Sequence, residues 1–315
     1  MNSKIQEKKV SVIIPVCEHA SDTLALVEEY RLALSAITND MEFIYAVNYR
    51  FQKIAEQLEQ LATDNTDLKV LLLSRDYGEG TVLQAAFEHV TGDYVLTLPP
   101  YKQVDLSELP KMFDAIDSHD VVMARRWPRL DSTFKRFQTK VFNTLIGMMT
   151  DQKYSDSGCG VRLLTADVIK ELNLYGDQHR FLHLLTHELG FKTTEVNLTQ
   201  ARENIVRSHH NPGTYLRRLL DLLTIVFLTK FNKKPLRFFG IIGSTSMALG
   251  FLGLLYMAYE RLFLGVAMAD RPLLVLLSLF LVLGIQLIGI GLIGETIIFT
   301  HAENNKEYRI KRIIN

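Results

Sequence analysis

Two stretches of this chain, Phe238 to Tyr259 and Leu273 to Gly294, each run 22 residues without a charged side chain. A helix rises about 1.5 Å per residue, so each would span roughly 30 Å, the thickness of a bilayer's hydrocarbon core and more than most buried globular helices reach. Two transmembrane helices are predicted; a buried helical hairpin in a soluble protein is the alternative, and the length and unbroken apolarity weigh against it. Glycines 240, 243, 250 and 253 on the first span, and 284, 289, 291 and 294 on the second, would let the two backbones approach closely as a hairpin. Lys230, Lys233, Lys234 and Arg237 precede the first span, and Lys306, Arg309, Lys311 and Arg312 follow the second, which puts both flanks on the cytoplasmic side. The connector, Glu260 to Arg271, has only Arg261 and Arg271 as cations and then lies on the far side.

The region before the spans reads differently. With 48% hydrophobic residues in the whole chain there is enough apolar surface for a folded core, which excludes disorder. Thirty-five Lys and Arg balance thirty-five Asp and Glu, so no overall field favours a polyanion, and nucleic acid is not an expected partner. Two cysteines, Cys17 and Cys159, are too few for a disulfide scaffold or a thiolate metal site and fit a reducing compartment. The opening MNSKIQEKKV is charged and has no apolar run, so no secretory signal is expected and the region reads as cytosolic.

Val10 to Pro15, Glu42 to Val47, Leu68 to Leu73, Tyr94 to Leu98 and Asp120 to Met123 are short apolar runs that read as strands. Thr23 to Leu34, Phe51 to Ala62, Thr81 to His89 and Leu106 to Ile116 have helical spacing between them. The alternation predicts an α/β fold with parallel strands buried on both faces, and ligands outside the carboxyl ends of the strands. Composition shifts most sharply near residues 212 to 237. The expected organisation is a cytosolic domain over 1–212, a juxtamembrane interfacial helix over 213–236, two membrane helices over 237–300 and a basic cytosolic tail over 301–315. Tyr215 to Phe231 mixes leucines and aromatics with Arg217, Arg218 and Lys230, as a helix in the headgroup plane would; an ordinary amphipathic core helix fits nearly as well.

Four segments then occur in order: VSVIIPV at the start, LSRDYGEGTVLQAAFEHVTGDYVLTL at 73–98, DSGCGVRLL at 156–164 and GIQLIGIGLIGE at 284–295. Together they resemble family-2 glycosyltransferases of the polyprenyl-phosphate, dolichyl-phosphate mannose synthase-like group, along nearly the whole chain. The resemblance implies a GT-A-like, mostly parallel sheet with flanking helices, followed by the two-helix transmembrane hairpin. It also implies a nucleotide-sugar donor, a polyprenyl-phosphate acceptor, an Mg²⁺ or Mn²⁺ cofactor and inverting transfer at the inner leaflet of the cell inner membrane.

Three places depart from that family's pattern. After the second strand it carries paired aspartates and Gly-Ser; this chain has Val47, Asn48, Tyr49 and Arg50. After the fourth strand it carries Asp-x-Asp, which holds the cation against the donor diphosphate; here Pro99, Pro100 and Tyr101 stand instead. In the first loop Cys17, Glu18 and His19 replace an aromatic, Asn and Glu. Hard cations need oxygen ligands, and a cation at a departing diphosphate contributes several kcal/mol, each ~1.4 kcal/mol being tenfold in rate. No metal ligand is assigned, and Asn48 and Tyr101 remain as donor-site positions able to hydrogen-bond a ribose or base but not to neutralise a diphosphate.

The candidate site residues follow from these segments. Arg125, Arg126 and Arg129 follow the fifth strand, at the crevice end of the sheet, where guanidinium groups match phosphate oxygens; a solvated charge cluster is the plain alternative. Asp156 matches the family's acid and is grouped with Arg125 and Arg126 as catalytic, against the alternative of a turn or cap ahead of a helix near Thr165. Arg129, Arg162 and Arg207 are assigned to the lipid phosphate, Arg162 with a structural salt bridge as the alternative. His209 and His210 beside Arg207 are a weak metal signal. Glu295, at the boundary of the second span, reads as an anchor pairing with Lys306 or a cation before the first span. The expected function is a membrane-anchored family-2 protein of polyprenyl-phosphate sugar metabolism with a remodelled donor site. A metal-independent transferase, and a regulatory or scaffolding subunit with a membrane-protein partner or a second copy, are the alternatives.

Overall fold

The strand at the centre of the first unit, Val10–Val16 (β1), is buried along its whole length, because the sheet continues on both sides of it and helices cover both faces. The computed structural model describes residues 7–17, 23–129, 155–156, 158–174, 176, 178–201, 235–265 and 272–301. The chain divides into two compact units, Met1–Ile225 and Val226–Asn315.

In the first unit the other strands are Met41–Val47 (β2), Leu68–Leu72 (β3), Tyr94–Thr97 (β4), Val121–Arg126 (β5), Arg162–Thr165 (β6) and Thr193–Leu198 (β7). The order across the sheet is β3-β2-β1-β4-β6-β5-β7, with β6 antiparallel to both neighbours and the other pairs parallel. The helices of this unit are Thr23–Ser35 (α1), Gln52–Asp64 (α2), Glu79–Phe87 (α3), Pro110–Ile116 (α4), Ala166–Glu171 (α5) and Leu182–Glu188 (α6). The period of two along each strand sorts the core into two layers. Val12, Ile14, Phe43, Tyr45 and Leu96 pack with Leu26, Tyr30, Leu58 and Phe113 of α1, α2 and α4. Ile13, Ile44, Val95, Met123 and Leu164 pack with Val82, Phe87, Val168 and Leu182 of α3, α5 and α6.

The mostly parallel α/β sheet expected from the sequence is present, and so are the five expected strands. Two more, β6 and β7, were not expected, and β5 runs to Arg126, so Arg125 and Arg126 are its last two residues rather than the start of a loop. From β1 the chain steps to β2 on one side, while β4 lies on the other. The carboxyl ends of β1 and β4 therefore open onto a crevice at a topological switch point.

The amino edge of the sheet is tied by a buried carboxylate. Glu42 accepts from Ser11 Oγ at 2.5 Å, from Thr91 N at 2.7 Å and Thr91 Oγ1 at 2.9 Å, and from Lys69 Nζ at 2.8 Å. Gly92 N donates to the same Ser11 hydroxyl, and a Cβ on Gly92 would stand 2.8 Å from Lys9 O and Ser11 N, so only glycine lets β1 and this turn meet. Burial alone would raise the Glu42 pKa; the bonds from Lys69, Ser11 and Thr91 outweigh it and lower it to about 2.

The second unit contains Pro235–Leu264 (α7) and Pro272–His301 (α8), both long and apolar enough to cross a membrane. Gly243 and Gly284 face each other so closely that a Cβ on either would come within 2.7 Å of the other's carbonyl oxygen, and Ser246 Oγ donates to Phe280 O across the same seam at 2.8 Å. Gly240 and Gly289, expected in the seam, are outside it: a Cβ at Gly240 meets only Leu236, and one at Gly289 meets nothing within 4 Å. Glu295 Oε2 accepts from Leu236 N at 3.4 Å, so the partner observed is the first turn of α7. Lys306, and the expected interfacial helix up to residue 234, lie outside the described residues.

Because the folded-state pKa of Glu42 is depressed, its contribution is complete above the unfolded value near 4.5 and fades as pH falls from there toward 2. Glu42→Gln is expected to lose about 2 to 3 kcal/mol at pH 7 and progressively less below pH 4. Thermal melts of the two proteins across pH 3 to 8 check this through the narrowing of their gap.

Candidate functional site

The carboxyl ends of β5 and β4, and the loop entering β6, bring Arg126, Arg129 and Asp156 together. Arg126 Nε donates to Asp156 Oδ2 and Arg126 Nη2 to Oδ1, both at 2.7 Å, and Arg126 N reaches Oδ2 at 3.2 Å. Arg129 Nη1 stands 3.9 Å from Oδ1. This is the fork-to-fork geometry that matches a guanidinium to a carboxylate. The loop carrying Asp156 is held from below by Glu195 on β7, whose Oε1 accepts from Ser155 N at 2.8 Å and Asp156 N at 3.3 Å. Burial would raise the Asp156 pKa, but the charge and hydrogen bonds of Arg126 and the charge of Arg129 hold it below the usual carboxylate range. Asp156 thus pairs with Arg126 and stands beside Arg129 at the crevice edge. Arg125 points elsewhere, its guanidinium 4.9 Å from the ring centre of the exposed Trp127.

Asn48, directly after β2, is fully buried. Its Nδ2 donates to Tyr77 O at 2.9 Å and its Oδ1 accepts from Tyr77 N at 3.1 Å, so both halves of the amide clamp the loop after β3. A ribose or base would have to break that clamp to use it. After β4, Tyr30 Oη donates to Pro99 O at 2.8 Å, and Gln103 Nε2 donates to the Tyr101 hydroxyl at 2.8 Å. Gln103 Oε1 accepts from Gly160 N at 2.8 Å, which ties the segment to the loop entering β6. Cys159 beside it is wholly buried, and burial raises its thiol to about 11, which leaves it unreactive at neutral pH.

Arg162, assigned to a lipid phosphate from sequence, is not on the surface of the crevice. It opens β6, pairs with Thr97 and Met123, and is 1% exposed. Arg207 lies outside the described residues, as do Glu18, His19, His209 and His210. Gln103, Glu195 and Tyr30 were not singled out from the sequence. Nothing in their local pattern marks them, since each acts through a partner more than 35 residues away.

A parallel α/β sheet with an antiparallel insertion and a crevice at its switch point is the scaffold of nucleotide-sugar transferases of the GT-A kind. The chain belongs to glycosyl transferase family 2, whose model matches residues 11–172, as the motifs led us to expect. It is 29% identical over 313 residues to the undecaprenyl-phosphate 4-deoxy-4-formamido-L-arabinose transferase of Pectobacterium carotovorum, covering 98% of this chain and 94% of that one. The protein of the same description from Photorhabdus laumondii is 28% identical over 98% and 95% of the two chains. Among solved structures, glucosyl-3-phosphoglycerate synthase from Mycobacterium tuberculosis with Mg²⁺ and uridine diphosphate aligns with TM-score 0.52 at 11% identity, over 71% of this chain and 81% of that one. Its complex with Mn²⁺, uridine diphosphate and phosphoglyceric acid gives 0.51 at 12%, over 70% and 78%. At such identity the likeness is one of fold.

The described residues do not fit the divalent cation that the family resemblance implies. Pro99 and Pro100 have no side-chain oxygen, Tyr101 offers a neutral phenol already bonded to Gln103, Asp156 is paired with Arg126, and Glu195 Oε1 is taken up by Ser155 N and Asp156 N. No group of three or more His, Cys, Asp or Glu able to hold a metal occurs among the described residues.

Asp156→Asn leaves Arg126 buried without its counter-charge, and is expected to cost about 3 to 5 kcal/mol of stability. Unfolding of the full chain in detergent measures this; a melting curve matching the parent's would remove the anchoring role.

Proposed function

We propose that this chain is a membrane-bound family-2 protein of polyprenyl-phosphate sugar metabolism that binds the lipid phosphate through its arginine edge and performs no metal-assisted sugar transfer. The lipid class comes from the undecaprenyl-phosphate transferases to which it is similar over nearly its whole length. The phosphate ligands are Arg129 and Arg126, with Arg207 as a further one. Arg126 and Arg129 both face Asp156, and guanidinium groups gathered at one edge suit an incoming phosphate. The two apolar helices hold the first unit at the inner membrane, with both cationic flanks, and so both termini, on the cytoplasmic side.

The observation that carries the metal-free reading is the fate of the site's oxygens: the β4 loop supplies prolines and a bonded phenol, and Asp156 is spent on an arginine. Membranes containing the chain, incubated with radiolabelled nucleotide sugars and polyprenyl phosphate, test it. No lipid-linked label that depends on Mn²⁺ and disappears with EDTA is expected; such label from any donor would overturn the proposal. Label that survives EDTA would instead select a second reading, an active transferase in which cations replace the metal. That reading is favoured by the unpaired guanidinium of Arg162.

In the purified full chain, Arg129→Gln is expected to weaken binding of polyprenyl phosphate by about tenfold, the worth of one charge-assisted hydrogen bond. Flotation with liposomes carrying the lipid reads it, and unchanged retention removes Arg129 from the site.

A further inference from the structure

We propose that the carboxyl rim of the first unit's sheet is a lipid-contact surface, which rests on anionic headgroups through arginine–aromatic stacks on either side of the crevice. Among the described residues of this unit, the exposed large aromatic side chains are Tyr49 and Trp127, 55% and 54% exposed. Tyr49 stands two positions past the end of β2 and Trp127 one past the end of β5. β2 and β5 run in the same direction, so both rings lie at one edge of the sheet, as does the exposed Leu72 at the end of β3. A single exposed apolar side chain is ordinary on a protein surface; two rings sharing one edge call for a partner.

The same edge carries arginines laid over rings. Arg125 stands 4.9 Å from the ring centre of Trp127, Arg75 4.8 Å from that of Tyr77 and Arg50 5.0 Å from that of Phe51, in or beside the segments that follow β5, β3 and β2. The fourth such stack among the described residues, Arg31 over Phe43, lies on the α1 side of the sheet. Arg50 Nε is 3.5 Å from Asp76, whereas Arg75 and Arg125 form no ion pair among the described residues. A guanidinium covered on one face by a ring keeps its N–H donors for phosphate oxygens, and a Trp or Tyr ring beside such a group has the amphipathic character of residues at the headgroup level of a bilayer. In the strand order β3-β2-β1-β4-β6-β5-β7, β2 and β5 are four places apart, about 20 Å at a strand spacing of ~4.8 Å, with β1 and β4 between them. One ring therefore stands on each side of the crevice, and a lipid surface meets both at once. The occupant is the chain's own membrane: α7 and α8 are long and apolar enough to cross one, which holds a bilayer within reach, and anionic headgroups match Arg75 and Arg125.

This inference rests on the membrane-bound part of the proposed function and not on its metal-free part. Trp127 is the one tryptophan of the chain, so tryptophan fluorescence reports the rim alone. The full chain is placed in nanodiscs of phosphatidylcholine and phosphatidylglycerol, without polyprenyl phosphate, and Trp127 emission is compared with and without lipids spin-labelled at the headgroup. The label is expected to quench the emission at least twofold. Tyr49→Ser combined with Arg75→Gln, on the far side of the crevice, is expected to halve that quenching, and so is Arg125→Gln. Quenching that is absent, or that the Tyr49→Ser and Arg75→Gln pair leaves unchanged, overturns the rim contact. The parent alone gives a second reading that needs no variant to fold: raising salt from about 0.05 to about 1 M is expected to cut the quenching at least twofold, and quenching unmoved by salt overturns the contact with anionic headgroups. Quenching that appears only after polyprenyl phosphate is added assigns Trp127 to that one lipid, and overturns the surface as well. A chain that does not enter the discs overturns the anchoring by α7 and α8 and the rim with it, whereas one that enters and keeps Trp127 unquenched overturns the rim alone.

Discussion

One carboxylate can neutralise about one cation, and in this crevice the carboxylate is Asp156. Its two oxygens are taken by the Nε and Nη2 of Arg126, with Arg129 close by, and Glu195 fixes the loop on which it stands. Everything at the carboxyl edge follows from that commitment. A bound dication would have to compete with two guanidinium groups for the same oxygens, while the neighbouring β4 loop offers none of its own. In the function proposed above, the guanidinium groups of this edge meet a phosphate directly rather than through a metal.

The rest of the scaffold serves to hold this edge. Tyr30 on α1 holds the Pro99 carbonyl, Gln103 ties Tyr101 to Gly160, and Asn48 pins the loop after β3, so three loops are fixed by buried side-chain bonds to backbone. At the opposite edge Glu42 does the same for β1 and the turn before β4. Asn48 and Tyr101, read from the sequence as donor-site positions, are here occupied by structural hydrogen bonds. That is consistent with a crevice whose rigidity does not depend on a bound ligand.

Much of this was legible in the sequence, for reasons that differ by element. β1, β2 and β4 are largely buried on both faces, so they read as continuous apolar runs, and α7 and α8 read as candidate spans from their length and apolarity. β7 was missed because Thr193–Leu198 is a polar, half-buried edge strand, and β6 because four residues beginning with an arginine carry no strand signature. That Asn48 lies after β2, and Pro99, Pro100 and Tyr101 after β4, was visible directly. The pairing of Arg126 with Asp156 was not, since it joins residues 30 apart across an antiparallel insertion that the sequence did not reveal. Arg162 was assigned to a lipid phosphate, or a structural salt bridge, from its place in the DSGCGVRLL segment; its alternation with Leu163 on β6 is the signal that, once the strand is known, turns it toward α3 and α6.

The central claim is that no divalent cation is held between this chain and a diphosphate. Electron paramagnetic resonance of Mn²⁺ with uridine diphosphate, recorded with and without a molar excess of the full chain in nanodiscs, addresses it directly. The account predicts that adding the protein leaves the Mn²⁺–nucleotide spectrum unchanged or returns it toward free Mn²⁺ as the nucleotide is taken up alone. A new, broadened spectrum of protein-bound Mn²⁺ whose intensity follows nucleotide binding would contradict it.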